Sequence, residues 1–62
     1  MKRLQLGELK PGMEFYDNGF VHQFVSVSEK NPDVIKCSVE RKEDYVFICS
    51  ARLVDVDPFM NS

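Results

Sequence analysis

The sequence has no tryptophan, one alanine (Ala51), four leucines, one histidine and two cysteines in 62 residues. Each shortage argues against a class of protein. A helical protein of this size needs Ala and Leu where this chain has Val and Phe. Two cysteines are too few for the multi-bridge scaffold of small secreted domains. Cys37 and Cys49 therefore read as free thiols that behave as small hydrophobes. No apolar run approaches the roughly 20 residues of a membrane helix. Residues 1–8 are basic but lack the apolar stretch of a secretory signal, so a cytoplasmic location is expected. The three glycines are scattered and each has a turn role, so no phosphate-cradling loop is present. Eight Lys and Arg against ten Asp and Glu give a net charge of -2. That balance is poor for a protein that must neutralise phosphates.

What the chain does have is Val, Ile, Phe and Tyr, which fill 17 positions, eight of them Val. Such side chains lose rotamer freedom in helices and pack well on pleated sheets. The composition predicts a single all-β domain, with charged content of 29% suited to a folded chain.

Residues 1–12 read as an N-terminal arm and turn. Leu4, Leu6 and Leu9 form an arm or one helical turn laid over an end of the core. Leu9-Lys10-Pro11-Gly12 is a turn signal, with Pro presetting φ and Gly accepting a positive φ. Residues 13–57 read as five strands. The first spans 13–16 and Asp17-Asn18-Gly19 makes a tight hairpin turn. The second spans 20–28, with Val21, Gln23, Val25 and Val27 on one face and Phe20, His22, Phe24 and Ser26 on the other. Its mixed faces predict a bulge or bend near Gln23. After a polar loop at 29–33, a third strand at 34–41 turns Ile35, Cys37 and Val39 inward. A charged turn, Arg41-Lys42-Glu43-Asp44, leads to a fourth strand at 45–49, dense in apolar residues and expected at the sheet centre. The fifth, at 53–56, reads as an edge strand, and 58–62 as a flexible tail. Burying so many aromatics on so short a sheet predicts closure into a small barrel.

The order of elements resembles the SH3-like barrels. Leu9-Lys10-Pro11-Gly12-Met13-Glu14-Phe15, then Asn18-Gly19, then Phe24-Val25-Ser26-Val27 is similar to the start of the KOW-type barrel in the amino-terminal domain of elongation factor P. About a third of the chain carries this likeness. The resemblance implies a fold, not an activity. The tRNA-facing lysine loop of that family has no match, because Asp17-Asn18-Gly19 stands in its place. Short chains ending in a strand like Leu53-Val54-Asp55-Val56 also resemble small phage and prophage proteins.

The chemistry-bearing residues are sparse. His22 is the lone histidine and has no acid–base partner named by spacing. Cys37, Cys49 and His22 are three isolated groups where a structural zinc site wants four ligands in close pairs. No catalytic residue, metal or cofactor is assigned. Seven aromatics exceed what a barrel this small encloses, so some must reach the surface. Tyr16, Phe20 and Phe59 are the expected ones. An exposed aromatic patch rimmed by polar groups marks a partner surface. The candidate partner surface is Tyr16, Phe20 and His22 with Arg41 and Lys42. The edge strand at 53–56 offers pairing with a second copy. The sequence thus predicts a non-catalytic protein-binding or regulatory module of bacterial or phage origin, such as an inhibitor of a host factor. The alternative is a nucleic-acid or nucleotide-binding barrel using Lys2, Arg3 and Lys10, with aromatics as stacking platforms.

Overall fold

Among the described residues, six antiparallel strands form one continuous open sheet, with a single 3₁₀ turn as the other regular element. The computed structural model describes residues 1–61. The strands are β1 (Lys2–Gln5), β2 (Glu14–Asp17), β3 (Phe20–Val27), β4 (Val34–Val39), β5 (Val46–Cys49) and β6 (Leu53–Val56). Their order across the sheet is β1-β6-β2-β3-β4-β5. The expected five-stranded count is one short. The polar segment Lys2-Arg3-Leu4-Gln5 is a strand rather than an arm, because β6 offers it a complete register from Lys2↔Val56 to Gln5↔Leu53. Local apolar alternation was too weak to signal it.

The β2–β3 hairpin turns on Asn18 and Gly19, whose φ angles are 53° and 80°. Two successive positive φ values match the right-handed twist of the flanking strands. β4 alternates cleanly, with Ile35, Cys37 and Val39 buried. The bulge in β3 lies at Val25, where the register shifts between Phe24↔Cys37 and Ser26↔Lys36. It is two residues beyond the position read from the side-chain pattern. His22 and Phe24 both stay on the buried face, so the strand has no reason to break at Gln23.

The buried face gathers Leu6, Leu9, Phe15, Phe24, Ile35, Cys37, Val54 and Val56. The chain's own start lies over part of this face. The 3₁₀ turn (Leu6–Glu8) places Leu6 and Leu9 in this core. The Gln5 N–H donates to Glu8 Oε2 at 2.9 Å and fixes the start of the turn. Leu6 and Gly7 N–H donate to the carbonyls of Arg52 and Ser50 at 2.9 and 2.8 Å. A Cβ on Gly7 would stand 3.1 Å from Ser50 Cβ, so a side chain there forces the two segments apart.

Two strand placements are the reverse of the sequence expectation. β5 is an edge strand and β6 is internal, paired with β1 and, at Tyr16↔Asp55, with β2. β5 is dense in apolar residues because both of its faces are apolar, not because neighbours enclose it. In β6, Val54 and Val56 are buried while the intervening Asp55 is half-buried.

The tail is also not free. Beyond Tyr16↔Asp55 the chain leaves β2, and the Asn61 side chain takes up the vacated hydrogen bonds. Glu14 N–H donates to Asn61 Oδ1 at 2.7 Å, and Asn61 Nδ2 donates to the Glu14 carbonyl at 3.0 Å. Residues 58–61 are pinned by this clip; Ser62, the last of the expected tail, lies outside the described residues.

Phe15 is fully buried, so Phe15→Ala is expected to cost about 3–5 kcal/mol in urea unfolding. Phe47→Ala, at an exposed position, should stay within about 0.5 kcal/mol of the parent. Asn61→Ala removes both bonds to Glu14 and should cost about 1–2 kcal/mol by the same measurement.

Candidate functional site

The sequence-predicted partner surface does not assemble as one patch. His22 is 7% exposed. Its ring stacks on Phe15 with centroids 5.2 Å apart. Its Nδ1 lies 2.8 Å from the Phe20 carbonyl, which can only accept, so Nδ1 carries the proton. The residue is a core histidine whose polar edge is satisfied by main chain. Tyr16 pairs with Val21, so its half-buried side chain lies on the outer face. Phe20 pairs with Asp17 and belongs to the opposite, inward series, but it sits at the hairpin end and is exposed. Tyr16 and Phe20 therefore look away from each other.

Phe20 lies at the same end of the sheet as the charged turn. Glu40 N–H donates to the Val21 carbonyl at 2.9 Å, which extends the β3–β4 ladder to the sheet end where Phe20, Arg41 and Lys42 lie. Arg41 holds a φ of 64°, a left-handed conformation unusual for a residue with a side chain.

The alternative basic set is dispersed. Lys2 and Arg3 are on β1, and Arg3 is ion-paired with Asp55 at 3.5 Å. Lys10 lies in the turn before β2. Among the described residues no ion pair or hydrogen bond links the three.

Of the three aromatics expected at the surface, Phe20 and Phe59 are exposed and Tyr16 is half-buried; Tyr45 and Phe47 are exposed as well. Tyr45 and Phe47 stand two positions apart at 51% and 62% exposure, on the outer face of β5. Lys36 on β4 is the cross-strand partner of Phe47. Its Nζ lies 4.1 Å from the centre of the Tyr45 ring. An ammonium over a ring face is attracted by the ring's negative quadrupole. Lys36 thus stands opposite Phe47 across the strands and sets a positive charge over the Tyr45 ring. A groove of about 410 Å³ continues this surface, lined by Lys36, Phe47 and the Ser26–Lys30 run, which includes the acid Glu29. The site can offer apolar contact area and one or two cations to an incoming group. The apolar density of Tyr45 to Cys49 predicts an interior strand, which hides this surface from the sequence. Lys36, between the inward positions Ile35 and Cys37 of a cleanly alternating strand, is the available signal.

The thiols differ sharply. Cys37 is buried and donates weakly to the Ile35 carbonyl at 3.7 Å; Cys49 is exposed. Loss of hydration, followed by the negative charge of Asp17, pushes the Cys37 thiol up to about 11. Asp17 is itself held by Arg52, whose Nε donates to its Oδ1 at 2.9 Å. Among the described residues, no three His, Cys, Asp or Glu side chains are grouped to hold a metal ion. No helix among them is long and apolar enough to cross a membrane.

Iodoacetamide at pH 8 should therefore modify Cys49 and leave Cys37 intact until the chain is unfolded, as read by peptide mass spectrometry. The raised Cys37 value means that the folded state holds its proton where the unfolded state has lost it. The thiol's contribution to stability is thus whole below about 9 and declines as the pH rises towards about 11. A Cys37→Ala variant should show a shallower loss over that window.

Comparison of the chain with protein-family models, with curated proteins and with solved structures returned no match.

Proposed function

We propose that the chain is a small SH3-like barrel that works as a non-catalytic protein-binding module, of the kind a phage or bacterium uses to occupy a host factor. The strand order supports the barrel reading. In β6-β2-β3-β4-β5 the last strand returns beside the first strand of a meander, and β1 is an addition on the outside of β6. The observation that carries the binding reading is the pair Tyr45 and Phe47, more than half exposed and bridged by Lys36. A chain of 62 residues gains most by burying aromatics, so two left on one outer face are available to a partner. Aromatic residues set in a small rim of charge are the residues that dominate protein interfaces.

A nucleic-acid reading draws on the same rings, since Lys30 and Lys36 stand beside stacking surfaces. The net charge of -2 and the acids Glu29, Glu40, Glu43 and Asp44 in the adjoining loops weigh against a phosphate track.

The test is direct binding of a partner identified by affinity capture and then purified. Phe47→Ala should weaken binding about tenfold or more while the unfolding midpoint is unchanged. Binding that ignores Phe47, Tyr45 and Lys36 substitutions would sink the assignment of this face. Retention of single-stranded oligonucleotides that falls steeply with salt would transfer it to nucleic acid.

A further inference from the structure

The groove beside Phe47 is built from three strands and the loop that follows β3. Its floor follows from the strand registers. Ser26 lies opposite Lys36, and Lys36 lies opposite Phe47, so the three make one row across β3, β4 and β5 on the outer face. Ser28 N–H donates to the Val34 carbonyl at 2.8 Å, which keeps the same register one row further on. Val34 alternates with the buried Ile35 as Lys36 does, so Ser28 belongs to the outer face as well. Glu29 and Lys30 complete the lining from the loop. Its apolar part is Phe47 with Val27, which is 47% exposed.

Charge decides the kind of partner. Among the described residues the ion pairs are Arg3 with Asp55 and Arg52 with Asp17. Lys30 and Lys36 belong to neither. Lys36 Nζ, 4.1 Å from the centre of the Tyr45 ring, keeps its charge there, because a ring attracts a cation without neutralising it. Glu29 lines the same groove and pairs with neither lysine. The lining therefore sets two cations against one acid and adds two hydroxyls, Ser26 and Ser28, that can donate.

We propose, on the protein-binding reading of the Tyr45 and Phe47 face, that this groove takes an acidic segment of another protein, in which carboxylates flank an aromatic or aliphatic side chain. The apolar side chain packs on Phe47 and Val27, and the carboxylates accept from Lys36, Lys30 and the serine hydroxyls. The groove's volume of about 410 Å³ lies in the range of small-ligand sites, roughly 300–1,000 Å³, enough for one apolar side chain and an adjoining carboxylate. A nucleic-acid strand would carry a phosphate past Glu29 at every step. A peptide can present a carboxylate to each lysine and an uncharged residue to Glu29. Exposed ion pairs are weak and screened, so the affinity of a short segment is roughly millimolar and falls with salt.

The test follows the amide shifts of the isotope-labelled whole chain as capped peptides are added. The probes are Glu-Glu-Phe-Glu-Glu, the same peptide with Gln for Glu, the same with Lys for Glu, and a single-stranded oligothymidylate. The acidic peptide should move the amides of residues 26–30, Lys36 and Phe47 and bind about threefold or more tightly than the Gln peptide. Lys30→Gln and Lys36→Gln should each weaken it about two- to fivefold, and Glu29→Gln should tighten it by a similar factor. All three positions are exposed or half-buried, and retained shift dispersion checks that the variants fold. A Gln or Lys peptide that binds the same amides as tightly overturns the proposal and leaves the docking face standing. An acidic peptide that moves other amides, moves none, or ignores Lys30 and Lys36 overturns it as well. So does oligothymidylate that shifts these amides as strongly as the peptide. The purified-partner measurement with Phe47→Ala reads the face itself, so the two readings fail separately.

Discussion

The structure depends on a single constraint: a sheet with one apolar face and no second layer has to cover that face with itself. The junction that achieves this is the contact of Leu6 and Gly7 with the Ser50–Arg52 link. Two short main-chain bonds join the chain's first turn to the connection between its last two strands. Leu6 and Leu9 are thereby set over the core made by Phe15, Phe24, Ile35 and Val54. Gly7 is needed for the approach, since even a methyl group would press on Ser50. The same junction orients β1 against β6 and so fixes which strand becomes interior.

That dependence explains what was legible in the sequence. β4 was readable because its alternation, Ile35-Lys36-Cys37-Ser38-Val39, is a local property of a strand with one wet face. The Asn18-Gly19 turn was readable because positive φ angles select those residues. The places of β5 and β6 were not. Sheet position is a matter of which distant strands pair, and it leaves no mark on a four-residue segment. Apolar density was a false guide: Val46 and Ile48 face the core while Tyr45 and Phe47 face out. The outward side of the internal strand β6 carries an acid, Asp55, which is met by Arg3.

The candidate site shows the same limit. Aromatic excess was read from composition and the surplus does lie outside, at Phe20, Tyr45, Phe47 and Phe59. Composition cannot choose which rings are surplus. His22, on one strand face with Phe20, reads as part of a partner surface, yet its Nδ1 proton is satisfied by the Phe20 carbonyl and its ring lies on Phe15. A local i to i-2 main-chain bond turns a polar group into a core residue without any sequence signature. Tyr16 and Phe20 are close in sequence but on opposite sides of the hairpin ends, which the register decides.

The distribution of charge then separates the two edges and the two faces. Lys2 and Arg3 guard β1, while the charges around β5 sit at its ends and on its neighbour. Lys36 is the informative one. Over the Tyr45 ring and beside Phe47 it covers part of two aromatics with a hydrated cation, so the outer face is apolar in area yet soluble in character. It does nothing for the main-chain edge, which lies in the plane of the sheet and out of its reach. Residues 45–49 therefore present two separable surfaces: the rings of Tyr45 and Phe47 across the sheet face, and the outward main-chain groups of Phe47 along the edge. A chain with so little interior can carry both on one strand, because neither draws on side chains that the core needs.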